Sequence, residues 1–221
     1  MTTAGYDGLA EWYDEHLTDF TSRATALLVN LLGNGPGWCL DLGCGGGVHA
    51  PAIAVAGWSV VGLDISVDQL RVAQRRPPLS GRLVLADAGR LPFSSGRFDA
   101  AVAAFIHTDV DDWLAVVSEA VRVLKPGGRL AYIGTHPCFV GPFSRYPATS
   151  DPPLLHAGYR QTGRTTEGPG IGEGLRRRVG VRHLPLATLL NAFTQAGLRL
   201  DRFEEPGPED FPRLFALVGN R

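Results

Sequence analysis

Lysine is almost absent from this sequence. Lys125 is the single lysine beside twenty arginines in 221 residues, and it directly precedes a Pro-Gly-Gly turn. A lysine that forms Schiff bases is activated by desolvation in a pocket or by a neighbouring cation. The sequence therefore offers essentially no candidate for a Schiff-base lysine, which argues against enzymes that depend on one.

Cysteine is scarce as well. Cys39, Cys44 and Cys138 are odd in number, and no two of them form a CxxC pair. This pattern argues against a disulfide framework and against a zinc site. No group of acidic residues has the pattern of a magnesium site, so we expect no metal.

Long apolar runs and an excess of charge are missing too. No run approaches the roughly 18 residues of a membrane span, and the N-terminus lacks a basic start followed by an apolar stretch. The net charge is −1, which gives no reason to expect a nucleic-acid or membrane partner. We expect a cytoplasmic protein of one globular domain, either monomer or homodimer.

What the sequence does have is a regular alternation of strand and helix patterns. Continuous apolar runs predict strands at 38–43, 59–65, 82–87, 98–105 and 129–135, each buried on both faces. Helical patterns separate them. Ser66 with Gln69 three residues on predicts a capping box, and Asp109 is the expected N-cap of the helix after the fourth strand. Two final strands flank Pro206-Gly207-Pro208. The expected fold is α/β, a Rossmann-like doubly wound sheet of seven strands, mostly parallel, with an antiparallel C-terminal edge hairpin.

A glycine loop follows the first predicted strand, in "CLDLGCGGGV" at 39–48. Val48 stands where a dinucleotide fingerprint has its last glycine, and no Lys-Ser/Thr follows as in a P-loop. Asp41, just before the loop, would repel a pyrophosphate and attract an amine. The loop therefore favours a ligand with a cationic group over a phosphate.

Two further carboxylates end the next two strands. Asp64 lies where the carboxyl edge of a doubly wound sheet presents an acceptor to both hydroxyls of a ribose. Asp87 can accept a hydrogen bond from an exocyclic amine, while a backbone N–H beside it donates to a ring nitrogen. Read along the sheet edge, the acids and glycines suit an amine, a ribose and an adenine.

In these features the chain resembles the class I S-adenosylmethionine-dependent methyltransferases, in their small-molecule branch (methyltransferase type 11, UbiE-like). "LDLGCGGG" is similar to their first motif and "VVGLDIS" to their acidic second motif. "LADAGRLPFSSGRFDAAVAAF" is similar to their third and fourth strands, and "VLKPGGRLAYIG" to their turn into the fifth strand. The resemblance covers about residues 36–135, and "YDGLAEWYDEH" resembles their N-terminal lid helix.

The resemblance implies S-adenosylmethionine as cofactor, with S-adenosylhomocysteine as product. It divides the domain, 1–221, into N-terminal lid helices (1–35), a cofactor-binding core (36–135), a substrate-side insert (136–180) and a C-terminal helix and strand pair (181–221). The insert is a Gly-, Pro- and Ser-rich stretch too long for an ordinary loop. The implied cofactor-binding residues are Tyr13, Asp41, Gly43, Cys44, Gly45, Asp64, Ile65, Asp87, Ala88, Ala104 and Phe105.

The acceptor side offers fewer firm signals. His107 follows the fourth strand and is a candidate general base, although a packing or capping role is the alternative. His136 follows the fifth strand and is a second candidate. The expected acceptor-binding residues are Tyr6, His107, His136, Phe139, Tyr146, Tyr159 and His183. The arginines of "LRRRVGVRH" (175–183) form either a solvated face or a grip on an acidic acceptor.

The implied reaction is transfer of the sulfonium methyl group to an oxygen, nitrogen or carbon of a small organic molecule, such as a specialised metabolite. It proceeds by alignment and exclusion of water. "AAFI" replaces the N/D-P-P-Y/F motif of amino-group methylation. Three alternatives stay open: a protein of this fold that binds the cofactor but catalyses another reaction, a non-catalytic binding module, and a nicotinamide dehydrogenase, which the missing glycine disfavours.

Overall fold

The computed structural model of the chain describes residues 7–12, 18–146, 152–172, 174–208 and 210–221. Tyr6 and Tyr13 lie outside the described residues. The helices are α1 (Thr18–Leu32), α2 (Ala50–Val55), α3 (Val67–Ala73), α4 (Trp113–Val123), α5 (Leu175–Val179) and α6 (Leu186–Gln195). The strands are β1 (Trp38–Leu42), β2 (Ser59–Asp64), β3 (Leu83–Leu85), β4 (Phe98–Ala104), β5 (Leu124–Thr135), β6 (Ser144–Arg145), β7 (Leu154–Leu155), β8 (Arg164–Thr165), β9 (Val181–Arg182), β10 (Arg199–Glu204) and β11 (Leu214–Asn220).

Seven of these strands form one sheet, in the order β10-β11-β5-β4-β1-β2-β3. The pairs β1–β2, β1–β4, β2–β3 and β4–β5 are parallel. β11 runs antiparallel to both β5 and β10. The expected α/β fold, mostly parallel with an antiparallel C-terminal strand pair, is confirmed. The division of the domain into four parts stays a prediction.

Each face of the sheet carries its own apolar core. α4 and α6 cover one face, where Trp113 and Phe193 pack on Leu40 and Leu42 of β1. α1 and α2 cover the other face, where Leu28 packs with Cys39. Alternation of side chains along a strand explains this division. It also places Asp41 on the same face as Cys39, toward the apolar layer of α1 and α2.

Two helices begin at a residue whose side chain caps the first turn. The Ser66 side chain caps α3 by accepting a hydrogen bond from the backbone N–H of Gln69, as the sequence predicts. Asp112 caps α4, accepting from the N–H of Ala115 at 2.9 Å. The expectation that Asp109 caps this helix is wrong, because the helix begins three residues later than expected, at Trp113. The carboxylate of Asp109 instead contacts an arginine of the insert.

The insert contains more structure than its composition suggests. β6 pairs with β7, and β8 pairs with β9, which directly follows the insert; the two pairs are short antiparallel ribbons outside the main sheet. β5 also begins earlier than expected, at Leu124, because a register shift between Phe98 and Ala100 of β4 accommodates the Pro-Gly-Gly turn. No helix in the described part of the chain combines the length and apolar character needed to cross a bilayer.

Candidate active site

A cavity of about 380 Å³ opens at the carboxyl ends of the first four strands. The glycine loop after β1, the acid that ends β2 and the turns after β3 and β4 meet there, because parallel strands present their carboxyl ends at one edge. Its wall includes Asp64, Asp87, the aromatic side chain of Phe105 and the mostly acidic run 109–112. Its lining residues are Gly43, Gly45, Leu63, Asp64, Ile65, Gln69, Ala86, Asp87, Ala88, Gly89, Ala104, Phe105, Ile106, Asp109, Val110, Asp111, Asp112, Ala115 and Val116.

The glycine loop is fastened to its neighbours through its backbone. The N–H of Cys44 donates to the carbonyl of Leu63 in β2 at 2.9 Å. Gly43 has φ +65°, a conformation that favours glycine. A Cβ atom built on it would lie 2.6 Å from Cδ1 of Ile106. Gly43 therefore allows the loop and the segment after β4 to approach closely at the cavity floor.

Asp64, at the end of β2, contacts both the glycine loop and the start of α3. Its Oδ2 accepts from the N–H of Gly45 and its Oδ1 from the N–H of Ser66, both at 2.9 Å. Burial raises the pKa of Asp64, the backbone N–H donors act against that rise, and the charge of Asp109 adds to it. Its carboxylate thus ties the glycine loop to the start of α3, a role that the motif alone does not reveal.

The cavity wall carries charge of one sign. Its charged residues are all aspartates, and no basic side chain is among the described residues that line it: Asp64, Asp87, Asp109, Asp111 and Asp112. Such a wall repels phosphates and attracts cations. Across the described ranges, no group of three or more His, Cys, Asp or Glu side chains is arranged to hold a metal ion.

Comparison with known proteins fits this geometry. The family model described as "Methyltransferase domain" matches residues 40–132, the stretch that supplies every residue of the cavity wall. Residues 40–132 are thus similar to a methyltransferase domain, and this stretch is called the methyltransferase domain below. The match confirms the resemblance to class I S-adenosylmethionine-dependent methyltransferases.

Relatives and solved structures extend the likeness of the methyltransferase domain. A demethylmenaquinone methyltransferase from Renibacterium salmoninarum is 38% identical over 125 residues, which are 56% of this chain and 52% of that protein. The chain spans about half the length of the curated relatives it matches. A crystal structure of an S-adenosylmethionine-dependent methyltransferase from Mesorhizobium loti superposes with TM-score 0.72, at 24% identity, over 97% of this chain and 99% of that one. The cyclase SpnF superposes with TM-score 0.62, at 21% identity, over 90% and 80%. These structures establish the fold.

The methyltransferase domain brings most of the cofactor-site candidates together. The eight that line the cavity are Gly43, Gly45, Asp64, Ile65, Asp87, Ala88, Ala104 and Phe105. Asp87 accepts from the N–H of Gly89 at 2.8 Å. Phe105 adopts φ +59°, which is uncommon for a residue other than glycine and tends to occur at functional sites.

Two candidates from the glycine loop are buried beside the cavity rather than in its wall. Cys44 is buried, and its Sγ lies 3.6 Å from the carbonyl oxygen of Gly45. Asp41 is fully buried, and neither of its carboxylate oxygens has a hydrogen-bond partner among the described residues. Burial, with a smaller contribution from the charge of Asp64, raises the pKa of Asp41 to about 7. Their cofactor contacts stay predictions.

His107 lies in the apolar core under the methyltransferase domain's cavity. Its Nδ1 is 2.8 Å from the hydroxyl of Tyr132, and its ring packs against Trp113. Burial, assisted by the charges of Arg176 and His183, lowers the pKa of His107 to about 3. A base needs access to its substrate, so this position favours the packing alternative, and the base role stays a prediction.

His136 joins the end of β5 to the C-terminal strand pair. Its Nδ1 accepts from the N–H of Cys138 at 3.1 Å, so its Nε2–H is the donor to Glu205 at 2.7 Å. Phe139 packs on its ring, with centroids 4.8 Å apart. Both residues are outside the cavity wall, and their acceptor roles stay predictions.

The remaining acceptor candidates among the described residues lie in the insert or just after it. The hydroxyl of Tyr159 accepts from the N–H of Leu186 at 2.9 Å, and its carbonyl accepts from Nε2–H of His183 at 2.8 Å. The ring of Tyr146 lies 4.0 Å from the guanidinium carbon of Arg213. His183 borders a second cavity of about 290 Å³. None of these three residues is among those lining the first cavity.

Sequence reasoning missed several residues of the cavity wall. Gln69 entered only as part of a capping box, yet its side chain is buried at the wall, and its Oε1 has no partner among the described residues. Asp111 and Asp112 were visible as an acidic run, "TDVDD", a few residues after the end of the fourth predicted strand. Their position near the carboxyl edge of the sheet could have indicated that they line the cavity.

Proposed function

We propose that this protein binds S-adenosylmethionine in the cavity and transfers its methyl group to an oxygen, nitrogen or carbon atom of a small organic molecule. The observation that carries the proposal is the cavity wall, which combines a glycine loop with five aspartates and no basic side chain among its described residues. A sulfonium ligand with an ammonium group suits such a wall, whereas a dinucleotide pyrophosphate does not.

The residues present fit this cofactor. The loop at Gly43 and Gly45 leaves room for close approach to the backbone, Asp64 retains acceptor capacity for ribose hydroxyls, and Asp87 with the N–H of Ala88 suits an adenine edge. When bound, the cofactor supplies an electrophilic methyl group. The protein's own part is to orient the two reactants and exclude water. The aspartates are the only ionisable side chains among the described wall residues.

For the methyl acceptor we propose a chemical class and not a particular molecule. The 38% identity to a demethylmenaquinone methyltransferase supports a small organic acceptor rather than a macromolecule. The net charge of −1 gives no reason to expect a nucleic-acid partner. We extend the proposal to a cytoplasmic enzyme that acts without a nucleic-acid or membrane partner.

Calorimetric titration tests the cofactor directly. We expect S-adenosylmethionine and S-adenosylhomocysteine to bind with dissociation constants of order micromolar, about 8 kcal/mol, and NAD not to bind. Asp64→Ala should lose this binding, because it removes a ribose acceptor and frees the loop. Asp201→Asn, on the edge strand β10, is the matched control and should bind like wild type.

The outcomes separate the alternatives. Binding followed by S-adenosylhomocysteine formation with an added acceptor supports methyl transfer. Binding with no such product from any acceptor favours another reaction on the same fold. No binding in folded protein contradicts the cofactor assignment and favours a non-catalytic module.

Gly43→Ala is expected to weaken S-adenosylmethionine binding by about tenfold or more. The added methyl group meets Ile106 and forces a left-handed backbone to carry a Cβ, a strain of about 1–3 kcal/mol. Gly96→Ala is the control, since Gly96 has φ +69° but open space around it. Titration should find wild-type affinity in the control; equal affinity in both variants would contradict the role of Gly43.

A further inference from the structure

Three arginines, two in the insert and one just after it, contact one short stretch of the cavity wall. The stretch is residues 108–111, here called the wall segment, which connects the 3-10 turn after β4 to the cap of α4. The three arginines, here called the arginine clamp, are Arg164 of β8, Arg176 of α5 and Arg182 of β9. They belong to elements separated from the wall segment by more than fifty residues of sequence.

Arg176 makes the most extensive of these contacts. Its Nη1 donates to Oδ1 of Asp109 at 2.7 Å, and its Nη2 donates to Oγ1 of Thr108 at 3.0 Å. That same Thr108 hydroxyl lies 3.1 Å from the carbonyl oxygen of Phe105. Arg176 is thereby linked through Thr108 to the residue whose backbone is held at φ +59°.

Arg164 and Arg182 hold the wall segment from the second ribbon. Arg164 donates from Nη2 to the carbonyl oxygen of Asp109 at 2.6 Å. Arg182 donates from Nη2 to Oδ1 of Asp111 at 3.1 Å. The two arginines are direct cross-strand partners, an arrangement of like charges that is unfavourable by itself. Asp111 stabilises it, because its carboxylate lies 3.1 Å from one guanidinium and 3.9 Å from the other.

We propose that the arginine clamp positions the wall segment and partly neutralises Asp109 and Asp111, so that the cavity keeps its shape while retaining a negative wall. Arg176 is a positioning residue that acts on the cofactor through Asp109 and Thr108. The consequence for ligand binding rests on the proposed function, whereas the positioning itself does not. Strained backbone such as that of Phe105 persists when its surroundings fix it, and the clamp supplies such surroundings.

Hydrogen–deuterium exchange of the ligand-free protein tests the positioning. In Arg176→Gln, the amides of residues 106–112 should exchange about tenfold faster or more than in wild type, since local opening becomes easier. The N–H of Asp109, which donates to the carbonyl of Ile106 at 2.9 Å, is the most direct probe. Arg177→Gln, at an exposed position of the same helix, is the matched control. Equal exchange in wild type and Arg176→Gln would overturn the proposal.

A double-mutant cycle with S-adenosylmethionine tests the path through Asp109. Arg176→Gln and Asp109→Asn should each raise the dissociation constant about fivefold, and the double variant should bind no more weakly than Asp109→Asn alone. Arg176→Lys, which keeps the charge but not the two-pronged contact, should recover affinity only in part. Additive losses, or unchanged affinity in Arg176→Gln, would overturn the effect on the cofactor. If wild type binds no S-adenosylmethionine, the proposed function fails while exchange still decides the clamp.

Discussion

Asp41→Asn is expected to stabilise the ligand-free protein at pH 8 by about 1–3 kcal/mol, and to change its stability little at pH 5. Asp41 is fully buried, and its carboxylate has no hydrogen-bond partner among the described residues. Ionising such a group in an apolar surrounding is costly. Asparagine fills the same space without a charge, although its own amide stays poorly paired, which limits the gain.

The direction with pH follows from the pKa. That of Asp41 is raised from 3.8 to about 7 by burial and by Asp64. The folded protein therefore holds this proton more tightly than the unfolded chain does. The stability that results is fully present below pH 3.8 and is lost as the pH rises through about 7. At 1.36 kcal/mol for each tenfold change in proton affinity, the loss is roughly 4 kcal/mol.

Urea unfolding of both proteins at pH 5 and pH 8 measures this effect. The free energy of unfolding of wild type should fall more steeply between the two values than that of Asp41→Asn. Asp99→Asn is a useful control, because Asp99 is a partly exposed carboxylate that Lys125 contacts at 2.6 Å. Parallel curves for wild type and Asp41→Asn would contradict an ionised, unpaired Asp41.

His107→Phe is expected to cost about 1–3 kcal/mol of stability at pH 7, because it leaves the hydroxyl of Tyr132 buried without its partner. That hydroxyl lies 2.8 Å from Nδ1 of His107, and Tyr132 is fully buried. Tyr132→Phe should cost a similar amount for the reciprocal reason. The double variant should cost no more than either single one, since replacing both partners with apolar groups leaves neither unsatisfied. Denaturant unfolding of the four proteins gives the answer, and strictly additive losses would contradict the pairing.

His107→Phe also separates packing from catalysis. A general base contributes about 100- to 10,000-fold to the rate. From its buried position we expect kcat of His107→Phe to stay within about tenfold of wild type, with an unchanged pH–rate profile. A larger fall in kcat together with loss of an acidic limb would restore the base role.

Asp41 and His107 change the free energy of unfolding in opposite directions as the pH falls. The pKa of His107 is lowered from 6.5 to about 3, so its contribution is present above pH 6.5 and is lost as the pH falls toward 3. Asp41 loses its contribution in the other direction, between 3.8 and about 7. The pKa of His49, lowered to about 4 by burial and by the charge of Arg76, acts in the same direction as that of His107. Replacing Asp41 should therefore reveal a steeper acid instability than wild type shows.

Much of the central sheet was predictable because its signals are local. The apolar runs of β1, β2 and β4, the capping pattern at Ser66 and the glycine loop all lie within a few residues of sequence. The carboxyl-edge rule then brings Asp64 and Asp87 to one cavity without any knowledge of packing. Eight of the eleven cofactor-site candidates accordingly line it.

The acceptor side was harder because its geometry depends on distant contacts. Nothing in "FIHT" indicates that Phe105 adopts φ +59°, yet Ile106 of this segment faces the cavity while His107 packs in the core. The local sequence predicts that Asp109 caps a helix, whereas in the structure its carboxylate contacts Arg176, 67 residues away. No local pattern indicates such a contact. Strands of two residues, such as β8 and β9, carry no periodicity to detect.

The double attachment of Asp64 limits how this site can be redesigned. One carboxylate fixes both the glycine loop and the start of α3 through Gly45 and Ser66. A change of Asp64 meant to admit a cofactor analogue with an altered sugar would release the loop as well. Asp87 accepts a hydrogen bond from the N–H of Gly89, two residues on, and that contact does not hold the glycine loop. Under the proposed function, in which Asp87 and Ala88 bind the adenine, cofactor analogues altered on the base are therefore a better starting point than analogues altered on the sugar.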